Sequence, residues 1–279
     1  MNLADLYIII FQHKKIRLVL TKTRAVVLKE VKFREQSKIC SLYTRDFGRI
    51  SVILKGGRNL KSRLSGLFCT GSLLEVVLYN RSNRDLQLVS EARIIRSPMT
   101  AEPSMERFSA IYRLIEILKI STGNEEKNIR LFNALERTLE KLCAPCRNAD
   151  AAVAWFMLKL ISESGFEPSI EQCVTTGKSI LPMLQEGSAD DLCLTYDPGG
   201  VSLPVPAAQK GPPGQRLPVQ VYLLMRTLNR LDIRSIDEID IPADNSRLLC
   251  DILQNYCSLH NNYNPSSKNR RIISRILYE

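Results

Sequence analysis

Two histidines, His13 and His260, and eight cysteines are the chain's conspicuous reactive side chains. The histidines fall in different predicted domains, which leaves a His-dependent acid–base or nucleophilic site without a second member. His260 sits in LHNNY at a predicted helix end, where a surface or capping role is the default. Neither KGGR (55–58) nor DPGG (197–200) continues into the Gly-Lys-Ser/Thr step of a phosphate-binding loop. No carboxylate pair stands at metal-site spacing. Cys143-Ala-Pro-Cys146 has the CxxC spacing of zinc and redox sites. Zinc needs four ligands, and no second CxxC or nearby His completes a set. A thioredoxin-type site needs a βαβ setting, whereas this pair closes a helix. A structural role at the helix end is the reading.

Cations are the exception to this poverty. KGGRNLKSR (55–63) carries Lys55, Arg58, Lys61 and Arg63 beside two adjacent glycines, with no acid and no aromatic. The net charge is +10, and it is unevenly placed. Up to Thr100 there are 19 Lys plus Arg against 7 Asp plus Glu, and after it 20 against 22. The whole excess therefore sits in the first third, as expected of a polyanion-binding module joined to something else. Lys29, Lys32, Arg34, Lys38, Arg49, Lys55, Arg58, Lys61 and Arg63 are the candidate phosphate contacts, with Arg45, Arg81 and Arg84 nearby. A soluble basic domain with no particular partner is the bland alternative.

The elements that position these cations read as strands. TRAVVLKEVKF (23–33) is valine-rich and partly alternating, and KICSLYT (38–44) alternates more clearly. RDFG supplies a turn, RISVILK (49–55) follows, and SLLEVVLYN and DLQLVSEARII complete a set of five. Five short antiparallel strands suit a partly open barrel of the OB type; a sandwich needs about seven. Such a barrel binds single strands along a cationic groove with aromatic stacking platforms. Tyr43 and Phe68 lie in apolar runs and read as core; Phe33 and Phe47 flank turns and read as stacking candidates.

After Thr100 the period changes. Met105, Phe108, Tyr112, Ile115 and Leu118 recur at helical spacing, as do Phe132, Leu135, Leu139 and Leu142. DAAVAWFMLKLISESG (150–165) is apolar nearly all round, with Asp150 as the expected N-cap and Gly165 as the stop, so it belongs at the centre of a bundle. From 166 to 217 periodicity disappears among DPGG, LPVPA and KGPPGQ. Helices resume near 218–231 and 244–263, and KNRRIISRILY reads as a short basic one. The expected fold class is α+β: an N-terminal extension over 1–22, a five-stranded barrel over 23–100, and a helical domain over 101–279 with an irregular insertion at 166–217. No secretory pattern surrounds LYIIIF (6–11), and no apolar run approaches the roughly 20 residues of a membrane span. A cytoplasmic chain with reduced thiols is expected.

AVVLKEVKFREQSKICSLYTRDFGRISVILKGGRNLKSRLSG and LLEVVLYN resemble the bacterial DNA repair and recombination mediator family RecO. The resemblance lies in the order of a Glu-x-Ser-Lys step at Glu35–Lys38, Thr-Arg-x-x-Gly at Thr44–Gly48, Lys-Gly-x-Arg at Lys55–Arg58, and Ser62-Arg63. The closing LHNNYNPSSKNRRI is similar more weakly, and the first twenty-odd residues are unmatched. The resemblance implies an OB barrel followed by a helical domain. It also implies a non-enzymatic protein that binds single- and double-stranded DNA and anneals complementary strands. With RecR, such a protein loads RecA onto DNA coated by single-strand-binding protein, which implies a nucleoid-associated location. Many members carry a four-cysteine zinc site in the irregular segment. Here the four positions hold Cys173, Thr176, Leu203 and Pro206, so the resemblance implies a lost metal and a mobile insertion.

A cationic surface fits annealing, because it releases counterions and screens two polyanions from each other without reading sequence. Partner proteins are expected on the helical half, where an apolar groove rimmed by bases suits the acidic, hydrophobic tail of single-strand-binding protein. An OB-type RNA-binding protein and an adaptor with an incidentally basic barrel are the competing classes. A hidden enzyme ranks behind both.

Overall fold

The computed structural model describes residues 19–59, 61–62, 64–80, 85–100, 104–123, 126–186, 191–204 and 213–260. The chain divides between Ile95 and Arg96 into two compact units.

The first unit is a closed five-stranded barrel in the order β1-β2-β3-β5-β4, the OB-type barrel expected. Its strands are β1 (Val19–Phe33), β2 (Ser37–Thr44), β3 (Gly48–Leu54), β4 (Leu73–Asn80) and β5 (Leu86–Arg96). β1 serves two partners. Its first half runs antiparallel to β4 from Val19–Asn80 to Val26–Leu73, and its second half pairs with β2 from Ala25–Thr44 to Phe33–Ser37. An irregularity between Val27 and Lys29 interrupts the β1–β2 ladder just beyond the last β4 pair, as a bulge does at barrel corners. Parallel pairing of Ser51–Ile53 with Leu86–Leu88 closes the barrel, so β3 and β5 are not left as edges.

β1 begins within the segment read as an extension: Val19–Lys22 are strand, facing Val77–Asn80. Its inward positions Thr21 and Thr23 are hydroxyls, so the aliphatic alternation that announces a strand is missing there. Thr23 is buried and donates to the Asp46 carboxylate at 2.7 Å.

The barrel core is made of Ala25 and Val27 from β1, Cys40 and Leu42 from β2, Val52 and Leu54 from β3, Leu74, Val76 and Leu78 from β4, and Val89 from β5. Phe68 joins it from the β3–β4 connection, with Leu64 and Leu67 packed alongside. Burying one such side chain contributes about 1.5–3 kcal/mol. Phe68 thereby anchors the far end of the basic loop.

The second unit is helical. α1 (Met105–Ser121) and α2 (Ile129–Leu142) start at Ser104 and Asn128, whose side chains accept the N–H groups of Arg107 and Leu131. α3 (Ala149–Glu163) is buried on nearly every side, as its sequence requires of a central helix. Its cap is Asn148; Asp150 lies inside the first turn, facing Arg247 at 4.0 Å. Gly165, at φ +79°, ends the helix with bonds from its own N–H to Ser162 and from Phe166 N–H to Ile161. α5 (Val219–Arg230) and α6 (Ala243–His260) complete the bundle, with a 3-10 turn at Ile233–Glu238 between them. The expected helix at 268–278 lies outside the described residues.

The described residues of the insertion are not irregular. They contain a short helix α4 (Ile180–Gln185) and a three-stranded sheet in the order β7-β6-β8, from β6 (Asp191–Tyr196), β7 (Gly199–Ser202) and β8 (Gly214–Pro218). Strands of four to six residues, glycine at 199, 200 and 214, and Pro218 at a strand end all mask a strand period. The glycines are required: a Cβ at Gly200 would lie 2.5 Å from Val174 Cγ1, and one at Gly214 would lie 2.6 Å from Cys193 Sγ. Glu171 ties the insertion to α5 by accepting from Arg226 at 3.0 Å and from Arg230 at 2.7 Å.

Candidate nucleic-acid interface

The basic loop leaves β3 at Leu54 through two glycines with different duties. Gly56 adopts φ +68°, a left-handed conformation that side chains disfavour. Gly57 lies so close to the strand end that a Cβ would sit 2.9 Å from Leu54 Cβ. Local turns then shape the segment. Asn59 N–H donates to Gly56 O at 2.9 Å, and the Asn59 side chain accepts from Lys61 N–H at 3.0 Å. With Leu54 and Phe68 both buried, the intervening cations Lys55, Arg58 and Lys61 are held at the surface, and all three are exposed.

This loop is docked onto the β1–β2 turn. Arg58 N–H donates to Gln36 O at 3.1 Å, and the Arg58 guanidinium donates to Arg34 O at 2.8 Å. Arg34 itself has φ +52°, an uncommon conformation for a residue with a side chain. The β1–β2 turn and the β3–β4 connection thus present Arg34, Lys55, Arg58 and Lys61 on one end of the barrel. A guanidinium has five N–H donors, so one bond to a carbonyl leaves Arg58 with capacity for a phosphate.

The sheet beside this end adds the remaining cations on two faces. Lys29 lies opposite Ser41, which lies opposite Ser51, and all three share the outer face. Arg49, opposite Tyr43 on the same face, donates to Ser41 Oγ at 3.4 Å. Lys32 and Lys38 are direct cross-strand partners on the Cys40 side of the ribbon, like charges whose repulsion costs stability. Lys38 is partly neutralised by Glu30 at 2.8 Å. Lys29 and Lys32 are exposed, and Lys38 and Arg49 are half-buried. Arg63 lies outside the described residues, as do Arg81 and Arg84.

The aromatic expectations divide. Tyr43 and Phe68 are buried, as their apolar runs imply. The Phe33 ring lies beneath the Arg34 guanidinium, 5.2 Å from its centroid, so that face is already occupied by a cation. Phe47 belongs to the β2–β3 turn, at the other end of β2 and roughly 23 Å along the strand at ~3.3 Å per residue. It is no neighbour of the loop cations. The apolar surface beside them is aliphatic: exposed Val31 and half-buried Ile39 and Ile53 occupy one row of the outer face, which the strand register reveals and sequence reasoning missed.

Comparison with known proteins decides the family. Residues 18–98 match the model of the recombination protein O N-terminal domain, and residues 103–268 match that of the C-terminal domain. The chain belongs to the RecO family. It is 48% identical to the DNA repair protein RecO of Prosthecochloris aestuarii over 92% of this chain and 98% of that protein. It is 40% identical to the DNA repair protein RecO of Chlorobium limicola over 93% and 99% of the two chains. The corresponding protein of Chloroherpeton thalassium is 28% identical over 93% and 100%.

The RecO resemblance also implied a zinc position, and the structure shows what stands there. Cys173 is buried in a tight turn, with Gly177 N–H donating to its carbonyl at 2.8 Å. Its sulfur lies 3.1 Å from Thr175 Oγ1. Burial pushes the thiol pKa up, but the hydroxyls of Thr175 and Thr176 and the N–H groups of Leu203 and Thr175 outweigh it, bringing the value down to about 7. Of the other ligand positions, Thr176 and Leu203 contribute a hydroxyl and an amide, and Pro206 lies outside the described residues. The donor set does not fit a closed tetrahedral zinc site. Among the described residues no group of three or more His, Cys, Asp or Glu is placed to hold a metal ion.

The CxxC pair closes α2, Cys143 being its C-cap. Burial and the nearby Asp237 carboxylate push Cys146 up to about 11, which keeps it protonated and unreactive. His260 is stacked on Phe166 at 4.8 Å and tilted against Tyr256 at 4.3 Å, a packing role at the end of α6. Among the described residues no helix is long and apolar enough to cross a membrane.

Proposed function

We propose that this protein acts in DNA repair as a recombination mediator. It binds single- and double-stranded DNA without sequence specificity and anneals complementary strands. With RecR, it helps RecA load onto DNA coated by single-strand-binding protein. The observation that carries the reading is the docking of the β3–β4 basic loop onto the β1–β2 turn through Arg58, which gathers cations from two loops on one end of an OB-type barrel. Family membership supplies the repair context.

Lys55, Arg58, Lys61 and Arg63 contact phosphate in this account, aided by Lys29, Lys32, Arg34, Lys38 and Arg49. None of these groups reads a base edge, so binding is electrostatic and independent of sequence. The protein's part in annealing is to hold two screened polyanions close together, with no covalent chemistry. RecR and single-strand-binding protein are the protein partners. The Cys173 turn works without zinc, because one thiol among a threonine, a leucine and a proline is too few ligands.

Fluorescence anisotropy with labelled single strands across a salt series tests the reading, with RNA of the same sequence as competitor. Affinity should fall steeply with salt, and Arg58→Glu with Lys61→Glu should abolish most of it. Salt-independent binding, or a clear preference for RNA, would contradict it.

A further inference from the structure

The outer face of the barrel carries an aliphatic row crossing four strands. Val31 on β1 lies opposite Ile39 on β2, Ile39 opposite Ile53 on β3, and Ile53 beside Leu88 on β5 in the parallel pairing. None of the four belongs to the barrel core, whose members alternate with them on the other face. Val31 is 49% exposed, and Ile39, Ile53 and Leu88 are half-buried. At ~4.8 Å between strands the row spans about 14 Å.

Its flanks are polar and cationic. One residue pair along the strands lies the row Lys29–Ser41–Ser51–Leu86, polar on three of its four strands, with Arg49 just beyond it. On the other side lie Phe33 and the joined loops holding Arg34 and Arg58. An apolar strip with cations on both sides is complementary to one extended nucleic-acid strand, whose bases are flat and apolar on their faces and whose backbone is anionic.

We propose that the Val31–Ile39–Ile53–Leu88 row is a base-seating shelf, on which unpaired bases of a single strand rest while Lys29, Arg49, Arg34 and Arg58 hold its phosphates. This rests on the reading that the barrel binds nucleic acid, and it adds a preference for unpaired strands. A duplex keeps its base faces stacked internally and gains only the phosphate contacts. An extended peptide has no open strand edge to join, because the barrel is closed.

The test compares two labelled strands of equal length, one of mixed sequence and one abasic throughout. Wild-type protein should bind the abasic strand about tenfold more weakly. Ile39→Thr with Ile53→Thr keeps β-branched residues in the strands and should erase that difference, with an unchanged thermal midpoint showing that the barrel is folded. Val31→Tyr should tighten the mixed strand and leave the abasic strand alone. Equal binding of both strands by wild type would overturn the shelf and leave the phosphate account standing. Binding of neither would overturn both. Loss of binding to an acidic hydrophobic peptide in the threonine variant, with oligonucleotide affinity unchanged, would assign the row to a protein partner and overturn the proposal.

Discussion

The Arg58 guanidinium donates to the carbonyl oxygen of Arg34 at 2.8 Å, while the Arg58 N–H donates to Gln36 O. One residue therefore joins the basic loop to the β1–β2 turn and remains a candidate phosphate ligand. The two roles separate experimentally. Lys61→Ala should remove one phosphate contact, lowering the slope of log K against log salt by ~0.7. Arg58→Ala should lower the slope by a similar amount and weaken binding further, because two loops lose their registration. Arg58→Lys should keep the slope and still weaken binding. Anisotropy titrations at four or five salt concentrations give slope and affinity together, and identical behaviour of Arg58→Lys and wild type would remove the positioning role.

Gly57 bears on stability more than on charge. A Cβ at this position would lie 2.9 Å from Leu54 Cβ, closer than packing allows. Gly57→Ala should destabilise the barrel by about 1–3 kcal/mol in denaturant unfolding, through displacement of Leu54. Gly56→Ala, strained at φ +68° but with only Ser62 Oγ 4.0 Å away, should cost about 1 kcal/mol. Equal costs at the two positions would contradict the packing argument.

How much was legible in the sequence follows from which signals survive locally. KICSLYT alternates cleanly because Cys40 and Leu42 enter the core while Ile39 and Ser41 point out, so β2 was readable. The start of β1 was not, since Thr21 and Thr23 occupy inward positions. The β6–β8 sheet was hidden by its short strands and glycines. The loop cations were legible as charge, but their attachment to the β1–β2 turn depends on Arg58 reaching across 24 residues of sequence, which no local pattern encodes. Flanking a turn is a local property, so the sequence does not show that the Phe47 turn lies at the other end of β2 from the loop cations. The aliphatic row needed the register of four strands.

His260 supplies a pH test of the helical unit. Burial against Phe166 and Tyr256 holds its pKa below the ordinary histidine value of 6.5, with Asp197 opposing the shift. The folded state therefore favours the neutral ring. Its contribution is complete above pH 6.5 and is lost as the pH falls from there through the depressed folded value. Wild type should lose stability between pH 7.5 and pH 5 relative to His260→Phe, which keeps the stacking without the titration. Parallel urea unfolding curves for the two proteins at each pH check this; a constant difference would show that the ring does not titrate in that range.

The Cys173 turn predicts indifference to chelators. Excess EDTA should leave the thermal midpoint unchanged, and elemental analysis should find far less than one zinc per chain. Because its thiol pKa is about 7, Cys173 should form thiolate near neutral pH, yet burial should slow its alkylation until the insertion opens. Stoichiometric zinc, or a large drop in midpoint with EDTA, would contradict the ligand count.

The central claim is that the joined basic loops let one barrel bring two DNA strands together. The direct measurement is the rate at which two complementary strands, each coated with the cognate single-strand-binding protein, anneal when this protein is added. Wild type should accelerate annealing, and Arg58→Glu with Lys61→Glu should slow it by at least ~10-fold at moderate salt while the protein stays folded. An unchanged rate in that variant, or no acceleration by wild type, would contradict the account.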